Sequence, residues 1–417
     1  MAATCPIIIA RLDVLDKRPQ TGDAAGMGYD APFEGLKVVD ISQGVAGPYT
    51  GLLMAQNGAD VIKVEPLDGD WGRHISKNYD GHSAYSVPAN LGKRSIALDM
   101  KSEQGRAIVY RMIEDADVFI EGFRPGIVDR LGVGYDDVAA ANPRILYVSI
   151  SGFGQTGPMR ERPAMDPVLQ AFSGLMSVNQ GVDGIPHRIG VIVCDMATGL
   201  YAFQALSTAL YARRDEPRGK RIEANLMQGA ACFQVVRMIS NYLDGGKIVP
   251  GRIPSGTFPT ADGWVNILVY KEEEFAPFCE IIGRPELAAD ARFSTNAARL
   301  ENELTLVPIL NEACAKLDGA ALCAGLAEAR IMHEKVNDYF AFLKHPQVEA
   351  TGLISWLDHP GIGRIPMPNP PGTAQHRTDG PRSVAPGIGE HTRDILSAHG
   401  YSAGEIDGLM REKIVYG

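Results

Sequence analysis

The chain predicts an α/β fold: a parallel sheet covered by helices on both sides, with a smaller second domain beside it. Three observations carry this. Short β-branched runs alternate with longer helical patterns from residue 36 to about 213, the signature of strands that must cross over to run parallel. After about residue 215 the rhythm changes. At 417 residues the chain also exceeds what one hydrophobic core usually serves.

In chain order, residues 1–30 end in Gly26-Met27-Gly28 and read as a loosely ordered extension. Within it, Pro6-Ile7-Ile8-Ile9-Ala10 is too short for the apolar part of a secretion signal, and Asp13 and Asp16 follow at once. Five runs then read as strands: Leu36 to Ile41, Asp60 to Val64, Ser95 to Leu98, Asp117 to Ile120 and Ile145 to Ser149. Between the first two, Pro48 to Asn57 forms a helix closed by Gly58. Ser102 starts another, whose Ile108, Val109, Met112 and Ile113 share one face. Residues 31–220 thus form the first part of the large domain.

Gly251 to Gly263 is rich in Gly, Pro, Ser and Thr, Trp264 to Val269 reads as a strand, and polar helices fill Glu272 to about Leu326. A small α+β domain is therefore expected over 221–335. Prolines at 360, 366, 368, 370 and 371 suggest an extended crossing segment, followed by a terminal helix near Asp394 to Ser397, so 336–417 reads as the return to the large domain.

Composition narrows the function classes. The apolar fraction of 45% and charged fraction of 22% are those of an ordinary folded protein, which leaves disorder to the ends. A net charge of -10 argues against broad binding to nucleic acid or anionic lipid, and no run approaches the ~20 apolar residues of a membrane span. The six cysteines lie far apart, without a C-x-x-C pair or zinc spacing, and the nine histidines show no ligand spacing. Free thiols, no metal site and a cytoplasmic location are the expectations.

Most catalytic motifs are missing. Serine-hydrolase, zincin and P-loop signatures do not occur. Gly152-Phe153-Gly154-Gln155-Thr156-Gly157 has dinucleotide-binding spacing, but that mechanism needs a helix to start at the glycines, and Pro158 and Pro163 bracket Arg160-Glu161-Arg162 as a loop instead. The most informative stretch is Gly190-Val191-Ile192-Val193-Cys194-Asp195-Met196-Ala197-Thr198-Gly199, where an apolar run ends in an acid before a helical pattern to Arg213. Asp195 stands there as a helix N-cap or as a nucleophile.

Several blocks in fixed order resemble class III CoA-transferases, the group that includes formyl-CoA:oxalate and carnitine CoA-transferases and the related α-methylacyl-CoA racemase. They are Leu36 to Asp40 with Ala46-Gly47-Pro48-Tyr49, Gly58 to Pro66, Asn90 to Ser95, Phe123-Arg124-Pro125-Gly126, Asn142-Pro143 and Ser151 to Gln155. The resemblance covers most of the chain and thins from about 225 to 340. It implies a Rossmann-like large domain whose parallel sheet is formed from both chain ends, a small domain, and an interlocked homodimer.

The resemblance also implies the chemistry. Asp195 matches the family's nucleophile, which exchanges a thioester through a mixed anhydride and an aspartyl-CoA thioester, with CoA as a substrate and no permanently bound cofactor. Donors around the helix N-terminus would keep Asp195 ionised. Arg124, after Phe123, and Arg130 match places for the CoA phosphates, their alternative being solvated surface charge; Lys93 and Arg94 are further candidates. Leu98, Asp99, Met100 and Lys101 match a stretch that lines the adenosine, and Val45 and Ala46 match the loop at the pantetheine thiol. Asp166 matches a second-motif acid that orients substrate or Asp195, or else caps a helix before Pro167.

Three departures shape the expectation. Met165 stands where the racemase branch places a proton-exchanging His. Pro254 to Thr260 replaces the glycine-rich loop of the formyl-CoA type, and Val45 and Pro66 stand at that type's Gln and Arg. The expected activity is CoA transfer from an acyl-CoA to a free carboxylic acid. A racemase-like isomerase and a CoA or dinucleotide binder without chemistry are the alternatives.

Overall fold

All five strands expected of the first half are present, and the sheet gains one more at each edge. The computed structural model describes residues 31–181, 184–247 and 251–417, so the expected N-terminal extension lies outside the described residues. The first six strands are β1 (Lys37–Asp40), β2 (Asp60–Glu65), β3 (Arg94–Leu98), β4 (Val118–Glu121), β5 (Leu146–Ser151) and β6 (Lys220–Asn225). The others are β7 (Ser255–Thr260), β8 (Gly263–Leu268), β9 (Met332–Lys335), β10 (Ile354–His359), β11 (Gly363–Pro368) and β12 (Val415–Tyr416).

The large sheet runs β12-β3-β2-β1-β4-β5-β6. Its strands β1 to β6 are parallel, but β12 pairs with β3 in the antiparallel sense, Val415 opposite Leu98. Both chain ends build the sheet, and the expected parallel sheet is parallel except at this edge. Strands β4 and β5 are buried along their whole length, as a sheet with helices on both faces requires.

One face packs on the helix Glu103–Ile113 and on the C-terminal helices Thr392–Ala398 and Ala403–Arg411. Ser102 caps the first of these by accepting from Gly105 N, and Ile108, Val109, Met112 and Ile113 are its buried face, as expected. The other face packs on the helices Ala46–Gln56, Asp166–Phe172, Val193–Ala212 and Leu226–Phe233. The strand order reverses between β1 and β4, the switch point at which open α/β sheets form a crevice beyond the strands' carboxyl ends.

A separate core spans Ile253 to Ile331, where the sheet β7-β8-β9 packs on the helices Phe275–Ile281, Glu303–Cys314 and Gly319–Glu328. The boundary expected at residue 220 cuts β6, whereas the change of core falls between Ala230 and Ile253. The prolines near 366 do not form a crossing segment: β10 and β11 make an antiparallel hairpin, and two-stranded edges tolerate proline. The five cysteines among the described residues are free. No helix there is long and apolar enough to cross a membrane.

Candidate active site

The switch point holds the candidate site. Val45, Ala46, Phe123, Arg124 and Asp195, expected at one site from sequence positions 150 residues apart, line a single cavity with Gln43, Trp71, Arg160, Arg162 and Met165. The loops after β1, β4 and β5 form its rim, and the helix carrying Asp195 closes one side.

A buried ion network holds the β1 loop in place. Asp40 accepts from Ser42 N at 3.0 Å and pairs with Lys93 Nζ at 2.7 Å, while Lys93 also donates to Pro48 O at 2.7 Å. Lys63 pairs with Asp70 at 2.9 Å and donates to Ser42 O. Asp70 in turn accepts from Gly44 N at 2.9 Å and Gly72 N at 2.8 Å, and Arg73 grips Glu65 with two bonds of 2.7 Å. Burial opposes the charge on Asp40, but Lys93 and Lys63 beside it keep its carboxyl below the usual range. Gly44 has φ +81, and a Cβ there would sit 2.2 Å from the Trp71 ring, so the loop needs glycine. Lys93 belongs to this network, and Arg94 pairs with Asp60 at 2.6 Å, so neither candidate cation reaches the cavity.

Helix crossings bring Asp195 to that loop. A Cβ on Gly199 would lie 2.9 Å from both Ala46 O and the Tyr49 ring, and Thr50 Oγ1 donates to Gly199 O at 3.2 Å. The glycine four residues after Asp195 therefore lets the two helices touch, which places Ala46 beside the acid. On the other side Gly229 meets Thr198, where a Cβ would be 2.2 Å from Thr198 Oγ1.

The capping expectation is corrected. The helix runs Val193–Ala212 with Ile192 at the N-cap, so Asp195 is its third residue. The cap comes from Asp166, the first residue of the helix Asp166–Phe172: its Oδ2 accepts from Cys194 N at 2.6 Å and Asp195 N at 3.1 Å. Gln170 donates to Asp166 Oδ1 at 2.6 Å and to Val191 O at 3.1 Å, which fixes the acid and the incoming chain together.

Because Asp166 takes these amides, the expected donors do not keep Asp195 ionised. Among the described residues no group donates to its carboxylate. Burial, and then the charge of Asp166, push its pKa up to about 7. The same causes push the neighbouring Cys194 thiol up to about 12, which leaves it protonated near neutrality, and Asp166 is occupied by the amides it caps, so Asp195 is the better placed anionic nucleophile.

Arg124 also lines a cleft that continues outward past Arg130 to Arg160 and Glu161. Arg160 carries no signal in the sequence beyond its place in a loop between two prolines. Leu98, Asp99, Met100 and Lys101 are not brought to either cleft. Leu98 is buried in the core, and Asp99 N donates to Ile414 O at 2.9 Å. With β2 and β1 between, β3 lies three strand spacings from β4, roughly 14 Å. Met100 and Phe123 nonetheless pack at the edge of the same core, on one face of the sheet.

Comparison with known proteins matches the chain to a family. The model of CoA-transferase family III matches residues 33–392. The mouse (Mus musculus) succinyl-CoA:glutarate CoA-transferase is 33% identical, covering 96% of this chain and 96% of its own. The acetyl-CoA:oxalate CoA-transferase of Acetobacter aceti is 34% identical over 78% of this chain and 85% of its own. A CAIB/BAIF family protein from Brucella suis superposes with a TM-score of 0.79 at 32% identity, covering 89% of this chain and 100% of that one. The chain belongs to CoA-transferase family III, and it is an enzyme that transfers CoA between an acyl-CoA and a carboxylate.

Proposed function

We propose that Asp195 is the nucleophile through which this enzyme moves CoA from an acyl-CoA donor to a free carboxylic acid. The carrying observation is a carboxylate without a hydrogen-bond donor, in a cavity that continues through Arg124 and Arg160 into a cationic cleft, poised near neutrality. Its oxygen attacks the thioester carbonyl, the C–S bond breaks, and a mixed anhydride and CoA thiolate result. The thiolate then attacks the aspartyl carbonyl of the anhydride, releasing the donor acid and leaving an aspartyl-CoA thioester. The acceptor carboxylate repeats both steps in reverse and regenerates Asp195.

Other groups take supporting roles. Asp166 positions the nucleophile through the amides of Cys194 and Asp195. Val45 and Ala46 line the cavity at the start of the helix Ala46–Gln56, and no side chain caps that helix, so its first amides are available to an oxyanion. Arg124 and Arg130 bind the CoA phosphates. Asp99, Met100 and Lys101 line neither cleft, but Met100 packs at the edge of the core that Phe123 also meets, where the adenosine end of the same ligand would extend, and CoA enters as substrate rather than resident cofactor. Met165 lines the cavity where a racemase needs a proton-exchanging base, which favours transfer over isomerisation. The printed names of the relatives, which act on glutarate and oxalate, support carboxylic acids as acceptors.

The reading includes a cytoplasmic homodimer with neither nucleic acid nor membrane as partner. The helix Val235–Leu243 buries none of its residues, with Val236 80% and Tyr242 83% exposed, and Tyr339 and Phe340 are likewise bare. A second copy would cover such apolar faces.

The test is a covalent trap. Asp195→Ala should cut transfer roughly 10⁴-fold or more without changing thermal unfolding. Wild-type protein mixed with acyl-CoA should carry a CoA-sized adduct on the Asp195 peptide, released by hydroxylamine. Unchanged turnover, or an adduct on another residue, removes the assignment.

A further inference from the structure

We propose that the apolar cleft adjoining the Asp195 cavity is an acyl site for dicarboxylic acids, in which Arg162 and Arg188 hold the distal carboxylate. The proposal rests on Asp195 as the nucleophile and adds the substrate class.

The Asp195 cavity adjoins two other clefts. Through Arg124 it reaches the cationic one past Arg130, and through Arg162 it reaches a cleft walled by Phe153, Val168, Phe172 and Met176. A thioester carbonyl held at Asp195, with its CoA phosphates along the first, directs its acyl chain into the second. The wall suits methylene groups: the rings of Phe153 and Phe172 meet edge to face at 5.1 Å.

Two cations stand in that wall. The Arg162 guanidinium lies 6.0 Å from the Phe153 ring centroid, and Arg188 lines the same cleft. Buried and half-buried guanidinium groups are paired, Arg213 with Asp117 at 2.6 Å and Arg299 with Glu272 at 2.8 Å, whereas Arg162 and Arg188 stand exposed at the cleft. Among the described residues neither Arg162 nor Arg188 has a carboxylate partner. A guanidinium fork beside apolar walls attracts a carboxylate strongly, whereas a chain ending in a methyl group gains only burial there. The helix Asp166–Phe172 links the two functions, since its first residue orients Asp195 and its outer residues Val168 and Phe172 wall the acyl site.

Glutarate and valerate, equal in carbon number, provide the probes, used with the full-length chain in two assays: equilibrium binding by calorimetry, and formation of the matching acyl-CoA. Wild type should prefer glutarate. Arg162→Gln should lower the glutarate-to-valerate ratio, in affinity and in kcat/KM, by roughly ten- to a hundredfold, Arg188→Gln by less, and Arg162→Lys should restore part of it. Equal binding of the two acids by wild type, or a ratio that neither substitution moves, overturns the proposal. Asp195→Ala separates this from the nucleophile assignment: it should abolish transfer yet keep the binding preference. Transfer that survives Asp195→Ala overturns the nucleophile, while a flat binding ratio with transfer lost overturns the acyl site alone.

Discussion

Two charged regions face each other across the β1 loop, and they are built on opposite rules. Behind the loop, Asp40, Glu65, Asp70, Lys63, Arg73 and Lys93 are buried, and each is paired with opposite charge. In front of it, Asp195, Arg124 and Arg162 line a cavity with no ion pair of their own among the described residues. Charge balanced within the protein holds backbone in place, and charge left unbalanced is available to a ligand. The first region makes the second possible, because the loop that brings Val45 and Ala46 to Asp195 hangs from Asp70 and Lys63.

The sharpest break of this comparison removes one member of the balanced set. Lys93→Met leaves Asp40 buried with only Lys63 and Ser42 near it, and should destabilise the fold by about 3–5 kcal/mol in urea unfolding. A loss below about 1 kcal/mol would place the network among interactions that merely neutralise their own desolvation.

How much of this was legible in the sequence follows the same division. Strands β1 to β5 could be read because strands buried on both faces show as short, near-continuous β-branched and apolar runs. Strand β6 could not: Lys220 to Asn225 holds one long aliphatic residue, Ile222, and sits at the sheet edge where polar side chains suffice. Asp195 and the Arg124 segment were visible through resemblance and are now neighbours in space. The cap from Asp166 was not visible as such, because it spans 28 residues and depends on how two helices meet. Arg160, Arg162 and Arg188 lie in irregular segments, where no periodicity marks which cations converge.

A second prediction concerns the unbalanced acid by itself. Asp195 has a folded pKa of about 7 against an ordinary value of 3.8, so the native state holds its proton more tightly than the unfolded chain. Its cost to stability is absent below about pH 4, grows between 4 and 7, and is complete above 7. Asp195→Asn should therefore stabilise the protein by about 1–2 kcal/mol at pH 8, allowing for partial solvent access, and by nearly nothing at pH 4. In wild type kcat/KM should fall tenfold per pH unit below about 7, as the nucleophile is protonated. A stability gain that does not depend on pH would show that Asp195 is not the group that titrates.

The smallest expected effect lies on the outer cleft. Arg124 and Arg130 are exposed and meet CoA phosphates in water, where a single charge pair is screened by salt. Arg124→Gln should raise KM for acyl-CoA roughly three- to tenfold with kcat little changed, because phosphate contacts far from the reacting carbon hold ground state and transition state alike. The effect should shrink as salt is raised. A fall in kcat at unchanged KM would instead place Arg124 at the developing charge on the thioester, moving it from the binding side of the site to the chemical one.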